Sequence, residues 1–279
     1  MKQNRLPNMI IIGAKKCATT SLHYYLSLHP EISMSKEKEL DYFSTNWHKG
    51  VEWYQSHFTT DVPICGESSP SYTNYPQFKD VAAKMYNTVP NTKLIYIVRN
   101  PIDRLISHYM NNYAKAEENR TLAEALQKLN KNNLYVACSQ YHTQLKQYLA
   151  YYPIEQICIL TTEALYTHRV ETLKKVFLFL GVTSNFTMPQ FGKIKNKTSD
   201  KRRLNKNGQR LWYGCEKYLQ PLHSNVRWHI ERLLCFPFSQ RIKTPCLDEK
   251  LRQDLEQVLR EDIQKLRAFT GYSFSEWSI

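Results

Sequence analysis

The sequence predicts an α/β fold, a three-layer domain around a central, mostly parallel sheet. Three observations predict it. Apolar runs of strand length occur at residues 8–12, 93–98 and 156–160. Between them lie longer segments whose apolar residues recur at helical spacing. Strands alternating with helices give a parallel sheet covered on both faces. The first run ends at Gly13 and passes through Lys15 and Lys16 into Thr19 and Thr20. That strand–turn–helix entrance makes the fold P-loop-like.

In chain order, residues 8–12 form a short buried strand. Residues 19–28 form an amphipathic helix with Leu22, Tyr25 and Leu26 inward. A second short strand is expected at 64–67. KLIYIV, residues 93–98, is a strand, and Pro101 stands where proline opens a helix. That helix carries Leu105, Ile106 and Tyr109 at helical spacing. Further helices are expected over 122–129 and 139–151, then a strand over 156–160 and a helix over 170–180 stopped by Gly181. Leu251, Leu255, Val258, Leu259, Ile263, Leu266 and Phe269 form one core-facing stripe that ends at Gly271. With no repeat, low-complexity tract or linker, residues 1–279 read as a single domain. Residues 205–245 carry Trp212, Tyr213, Tyr218, Trp228 and Phe236 and read as two helical pieces around Pro221. They serve either as extra core or as a cap over a binding site.

Composition narrows the classes. Hydrophobic residues make up 42% and charged residues 23%, an ordinary globular balance. No apolar stretch approaches the roughly 20 residues that span a bilayer, and the early run at 9–12 is too short for a signal-peptide core. The expectation is an unprocessed cytoplasmic chain with no membrane partner. The seven cysteines are scattered, without a pair or Cys/His cluster at zinc spacing, so no metal is expected. The net charge of +13 favours an anionic ligand, whether nucleic acid, acidic glycan, anionic lipid or nucleotide. Its densest part, residues 193–210, sets eight Lys or Arg against the single acid Asp200.

Two loops carry chemistry. In IIIGAKKCATTSL, residues 10–22, a strand and glycine turn aim a helix N-terminus at one point, and Thr19, Thr20 and Ser21 add hydroxyl donors. The usual NTPase spelling, GxxxxGK[ST], would place glycine at Ala18 and lysine at Thr19. The lysines are instead Lys15 and Lys16. In LIYIVRNPIDRLISHY, residues 94–109, the strand ends in Arg99 rather than a metal-holding aspartate, and Ser107 follows eight residues on. An arginine and a helical hydroxyl there suit a second phosphate. A P-loop kinase would need the conventional lysine and a metal aspartate, and both are missing. A nucleic-acid-binding protein would explain the charge but neither loop, so no nucleic-acid partner is expected.

At these residues the chain resembles the sulfotransferases that use 3′-phosphoadenosine 5′-phosphosulfate (PAPS), above all the heparan-sulfate-type and related bacterial enzymes. GAKKCATTSL resembles their 5′-phosphosulfate loop and RNPIDRLIS their 3′-phosphate motif. LHPEISMSKEKELDYFS, HKGVEWY, GESSPSY and the terminal FSEW echo the group in order and spacing. The resemblance implies transfer of a sulfuryl group to a hydroxyl or amine of a small metabolite, natural product or glycan, with PAPS as donor and no metal. It assigns the donor's 5′ end to Lys15, Lys16, Cys17, Ala18, Thr19 and Thr20, with Lys16 at the bridging oxygen. It assigns the 3′-phosphate to Arg99, Ser107 and one of Lys201, Arg202 and Arg203 in NKTSDKRR. Glu39, in KEKELDYF, matches the catalytic base, with Glu37 a weaker rival. Lys38, Asp41, Ser68 and Tyr72 fall at acceptor-side positions, although relatives often carry histidine at Asp41 and lysine at Ser68.

Overall fold

The structure is a computed structural model. It describes residues 5–58, 61–130, 132–193, 202–205, 207–208, 210–211, 214–215, 230 and 236–279. The chain divides into two compact units. The first comprises residues 1–105, 128–196 and 248–279, and the second comprises 106–127 and 197–247.

The first unit is built on β1 (Met9–Gly13), β2 (Ile32–Met34), β3 (Ile64–Ser68), β4 (Lys93–Val98) and β5 (Ile157–Thr161). They form one sheet in the order β2-β3-β1-β4-β5, parallel at every junction. All residues of β1 and β3 are buried. Successive side chains on a strand point to opposite faces, so this burial requires cover on both sides.

The cover comes from α1 (Thr19–Leu26), α3 (Val81–Thr88), α7 (Tyr141–Leu149), α9 (Arg169–Leu180) and α10 (Glu249–Thr270). Shorter helices are α2 (Gly50–Gln55), α6 (Leu134–Ala137) and α8 (Thr162–Thr167). Helix α1 packs on β1, β2 and β3, and α9 packs on β5. His29, just past α1, is wedged between Phe177 and Phe186, with ring centroids 4.6 and 4.7 Å away. Helices α3 and α10 pack on α7.

Asp262 of α10 fixes the last of these contacts. Its carboxylate accepts the backbone N–H groups of His142 and Thr143, each at 2.8 Å, and the Thr143 hydroxyl at 2.7 Å. It thereby caps α7, whose own N-cap Gln140 makes no side-chain cap.

Helix α4 (Pro101–Ala114) begins in the first unit and continues into the second. The second unit also holds α5 (Leu122–Ala125) and the antiparallel pair β6 (Arg202–Leu204) and β7 (Ser239–Arg241).

Several expectations need correction. Helix α5 stops at Ala125 rather than 129. A capping box between Thr121 and Glu124 fixes its start, and Leu126 already leaves helical geometry. Phe269 of the α10 stripe is 41% exposed, so the core side of that helix ends at Leu266. β7 lies within the stretch expected to be helical, while Trp212, Tyr213, Tyr218, Pro221 and Trp228 lie outside the described residues. No described helix is long and apolar enough to cross a membrane.

Candidate active site

The topology marks a place before any motif is consulted. From β1 the chain runs to β2 and β3 on one side, and from β4 it runs to β5 on the other. β1 and β4 are neighbours whose connections leave in opposite directions. In parallel sheets, ligands bind in the crevice beyond the carboxyl ends at such a switch point. Lys15 and Lys16 follow β1, and Arg99 follows β4.

Gly13 closes β1 against the turn Pro70–Thr73, where a Cβ would lie 2.0 Å from Thr73 Oγ1. The Ala14 N–H donates to the Ile97 carbonyl at 2.7 Å, and the Cys17 N–H donates to the Ala14 carbonyl at 3.1 Å. The loop is thus a tight turn pinned to β4. Its N-cap residue, Ala18, offers no side chain to cap α1. At α4 the Asn100 Oδ1 accepts the N–H groups of Ile102 and Asp103 at 3.1 and 3.3 Å. Of these two helix starts, α1 is the one whose N-terminal donors and positive dipole end lack a side-chain cap. Thr19 and Ser21 are buried and Thr20 is half-buried. The Cys17 thiol is buried, sits 3.7 Å from the Tyr141 hydroxyl, and is pushed up to about 12 by desolvation. The same sulfur lies 4.0 Å from the Lys15 carbonyl, so the side chain packs under the turn.

The segment after β2 carries the carboxylates. Lys38 and Glu39 form an ion pair, with the Glu39 side chain 54% exposed. The Glu39 N–H donates to the Ser68 carbonyl at 3.0 Å, and the Asp41 N–H donates to Ser69 Oγ at 3.0 Å. The Asp41 carboxylate accepts the Ser71 hydroxyl. Burial raises its pKa and the Glu39 charge adds to this, while Ser71, Lys38 and Lys15 act the other way. Lys15, Lys38, Glu39 and Asp41 therefore share one electrostatic neighbourhood. His23 on α1 joins it. Burial, and then the Lys38 charge, lower its pKa to about 4, so the imidazole is neutral near pH 7. Nothing in the sequence marks His23, which reads there as one more polar residue on an amphipathic helix.

Among the described residues, six that are not glycine have positive φ. Four of them are Lys16 (73°), Ala18 (58°), Glu39 (66°) and Asp41 (51°). Such conformations cost on the order of 1–3 kcal/mol each and collect where a site requires them. Ser68 is buried on β3, and its hydroxyl has no hydrogen-bond partner. Tyr72 is also buried, and its hydroxyl donates to Glu67 at 2.8 Å, so it acts on its surroundings through that carboxylate.

Arg99 is half-buried and makes an ion pair of 3.5 Å with Asp103, while its carbonyl accepts the Tyr141 hydroxyl at 2.8 Å. Ser107 is buried on the second-unit part of α4. Within the second unit, Arg202 donates to the Ser239 hydroxyl and carbonyl at 2.8 and 2.7 Å and lies over the Phe236 ring. Arg203 stacks 3.7 Å above the Tyr113 ring and donates to Asn119, and its Nη1 is buried without a hydrogen-bond partner. Lys201 lies outside the described residues.

A hollow of about 550 Å³ is lined by Leu6, Tyr42, Trp47, Gly50, Val51, Asn87 and Thr88. It holds none of the residues singled out for chemistry. Among the described residues no group of three His, Cys, Asp or Glu is arranged to hold a metal.

These features define an α/β protein that presents a lysine-bearing turn and an uncapped helix start at the switch point of a parallel sheet. The chain belongs to the sulfotransferase domain family, whose model matches residues 6–213. It is 39% identical over 109 residues to the membrane-associated sulfotransferase kil1 of Dictyostelium discoideum, covering 37% of this chain and 22% of that protein. It is 29% identical over 202 residues to the bifunctional heparan sulfate N-deacetylase/N-sulfotransferase 2 of Homo sapiens, covering 64% of this chain and 22% of that one. The chain thus spans about a fifth of the length of either relative. The crystal structure of a sulfotransferase from Alicyclobacillus acidocaldarius shares the fold. Its TM-score is 0.71 at 24% identity, over 99% of this chain and 100% of that one.

Proposed function

We propose that this chain transfers a sulfuryl group from PAPS to a hydroxyl or amine of a small metabolite, natural product or glycan. The observation that carries the reading is the Lys15–Lys16 turn at the uncapped start of α1, in a chain of the sulfotransferase domain family. The residues present fit the donor's anionic 5′ end. The N-terminal donors of α1 have no side-chain cap, and Lys15 and Lys16 stand just before them in the turn. The heparan sulfate relatives and the net charge of +13 favour a glycan among the acceptors.

The donor supplies the sulfuryl group and departs as 3′-phosphoadenosine 5′-phosphate. Lys15, Lys16 and the backbone from Cys17 to Thr20 hold its 5′ end. Lys16 stabilises the charge that builds on the bridging oxygen as the S–O bond breaks, an interaction strongest in the transition state. Glu39 takes the proton of the attacking hydroxyl or amine, so the acceptor heteroatom gains the sulfur as it loses hydrogen. Lys38 orients Glu39, and Asp41 and Ser68 face the acceptor. Arg99 and Ser107 are assigned to the 3′-phosphate. The third partner for that phosphate is one of Lys201, Arg202 and Arg203.

The test is thermal unfolding without magnesium, in 3′-phosphoadenosine 5′-phosphate or in ATP, followed by mass spectrometry of an acceptor panel incubated with PAPS. A ligand at about 100 times its Kd stabilises by roughly 2.7 kcal/mol. The 3′-phosphorylated nucleotide should give that shift and ATP little. Equal shifts, or no sulfated product from any acceptor, overturn the reading.

A further inference from the structure

We propose that Glu67 is a positioning residue, a buried carboxylate at the end of β3 that sets the backbone of residues 39–43 through its hydroxyl partners. Glu67 is buried. Its Oε1 accepts the Tyr54 hydroxyl at 2.7 Å and the Tyr72 hydroxyl at 2.8 Å, and its Oε2 accepts the Ser69 hydroxyl at 2.5 Å. All three partners donate, so the ionised carboxylate accepts them without leaving a proton of its own unpaired. Burial pushes its pKa up, and the three donors oppose that shift.

Each donor leads to the segment that carries the carboxylates. Ser69 Oγ accepts the Asp41 N–H at 3.0 Å while donating to Glu67. The Tyr72 hydroxyl accepts the Phe43 N–H at 3.4 Å, and its ring lies 5.5 Å from that of Phe43. The Tyr54 ring stacks on Tyr42 at 4.3 Å. Beside Glu67, the Ser68 carbonyl accepts the Glu39 N–H at 3.0 Å. Residues 39, 41, 42 and 43 are therefore held by Glu67's partners or by the strand residue next to it. Two of the four have positive φ and need that support. A glutamine at 67 would turn an N–H donor toward a hydroxyl that now donates, and one arm of the network would have to reorganise.

The effect on turnover rests on the sulfuryl-transfer reading, but the effect on the segment does not. The experiment therefore joins amide hydrogen exchange to kinetics in Glu67→Gln, Ser69→Ala and the double variant. Ser69→Ala leaves Glu67 and both tyrosines in place, so it stays informative if Glu67→Gln folds poorly. Exchange across residues 39–43 should quicken about tenfold in each single variant, with β1 still protected. kcat should fall by about 10- to 100-fold, as expected of a misplacement near 1 Å. Affinity for 3′-phosphoadenosine 5′-phosphate and the acceptor KM should stay within about twofold of wild type. The double variant should be no worse than Glu67→Gln, because both act on one path.

Unchanged exchange at 39–43, or loss of β1 protection and nucleotide affinity along with it, overturns the proposal. If the wild type sulfates nothing, the exchange result still decides the role of Glu67, and only the reading of the reaction fails.

Discussion

Gly13→Ala tests whether the Lys15–Lys16 turn depends on the close approach of the Gly13 backbone to the Thr73 side chain. The new methyl carbon would lie 2.0 Å from Thr73 Oγ1, 3.0 Å from its Cβ and 3.1 Å from its Cγ2. Thr73 is 1% exposed and donates to the Pro70 carbonyl at 3.4 Å, so it has no room to swing away. Overpacking of this kind costs about 1–3 kcal/mol. Holding alanine at φ 157° costs roughly another 1–3 kcal/mol. The sum, about 2–6 kcal/mol, is a large share of the 5–15 kcal/mol typical of a folded domain.

Thr73→Ala in the same chain removes Oγ1 and Cγ2 and leaves the contact to Cβ. The double variant should therefore recover the steric part and keep the conformational part. Urea unfolding measures both. Calorimetric titration with 3′-phosphoadenosine 5′-phosphate should show Gly13→Ala binding at least tenfold more weakly, about 1.4 kcal/mol, with partial recovery in the double variant. Wild-type affinity in Gly13→Ala would refute the close-approach argument. So would a double variant no better than the single.

Three further outcomes follow from the site and its surroundings. Lys16→Ala should lower kcat by more than it weakens nucleotide binding, because the leaving-group charge exists only in the transition state; a change confined to KM for PAPS would make this lysine a ground-state clamp. Glu39→Gln should keep nucleotide affinity and lose about 10²-fold or more in turnover, while Glu37→Gln, whose side chain is also exposed, should do little; the reverse pattern would move the base two residues. In the second unit, the Glu118 carboxylate accepts Arg120 Nη2 at 2.7 Å and Arg120 Nε at 3.0 Å, which hold its pKa down at about 2. That pKa lies below the unfolded value near 4.5, so its stabilisation is complete above about pH 4.5 and is lost as pH falls through 2. Melting curves between pH 2 and 6 should show this acid limb flattened in Glu118→Gln, and an unchanged limb would remove the assignment.

Much of the first unit was legible because its strands are short, continuous apolar runs with clear stops. β4 runs from Lys93 to Val98 as expected, and Gly181 ends α9 in the left-handed conformation that glycine permits. β2 was not legible. It is only Ile32–Met34, and its pairing with β3 is set by the sheet rather than by its own pattern. Helix α2 has Lys49 at its N-cap position and carries no start signal, whereas α3 has Asp80 there, a residue of the capping type whose side chain makes no cap. At the site, the lysines, Glu39 and Arg99 were visible because unusual residues occupy motif positions. Glu67 was not. One acid inside ICGES reads as an ordinary strand residue until Tyr54, Tyr72 and Ser69 converge on it from other parts of the chain. The contact of Gly13 with Thr73 was invisible for the same reason, being a pairing across 60 residues of sequence.

The order of the strands explains why the two charged loops can cooperate without cancelling one another. Lys15 and Lys16 leave from β1, and Glu39 is anchored by its N–H to Ser68, the last residue of β3. Ser68 pairs in register with Ile11 of β1. Neighbouring strands lie about 4.8 Å apart, so the cationic turn and the carboxylate segment rise from adjacent positions at one end of the sheet. Had the carboxylates followed β1 directly, they would have competed with the ligand for the lysines and for the N-terminus of α1. Placing them after β2 and tying them to the end of β3, with Lys38 as a local counter-charge, leaves, on the proposed reading, the donor side positive and the acceptor side able to take a proton. On that reading, a sulfuryl group passing between the two sides would move its negative charge only a short way, and each side would stay matched to what it binds before and after transfer. The buried network at Glu67 sits beneath that border, on the strand the border shares, which is where a small displacement would alter the spacing of both sides at once.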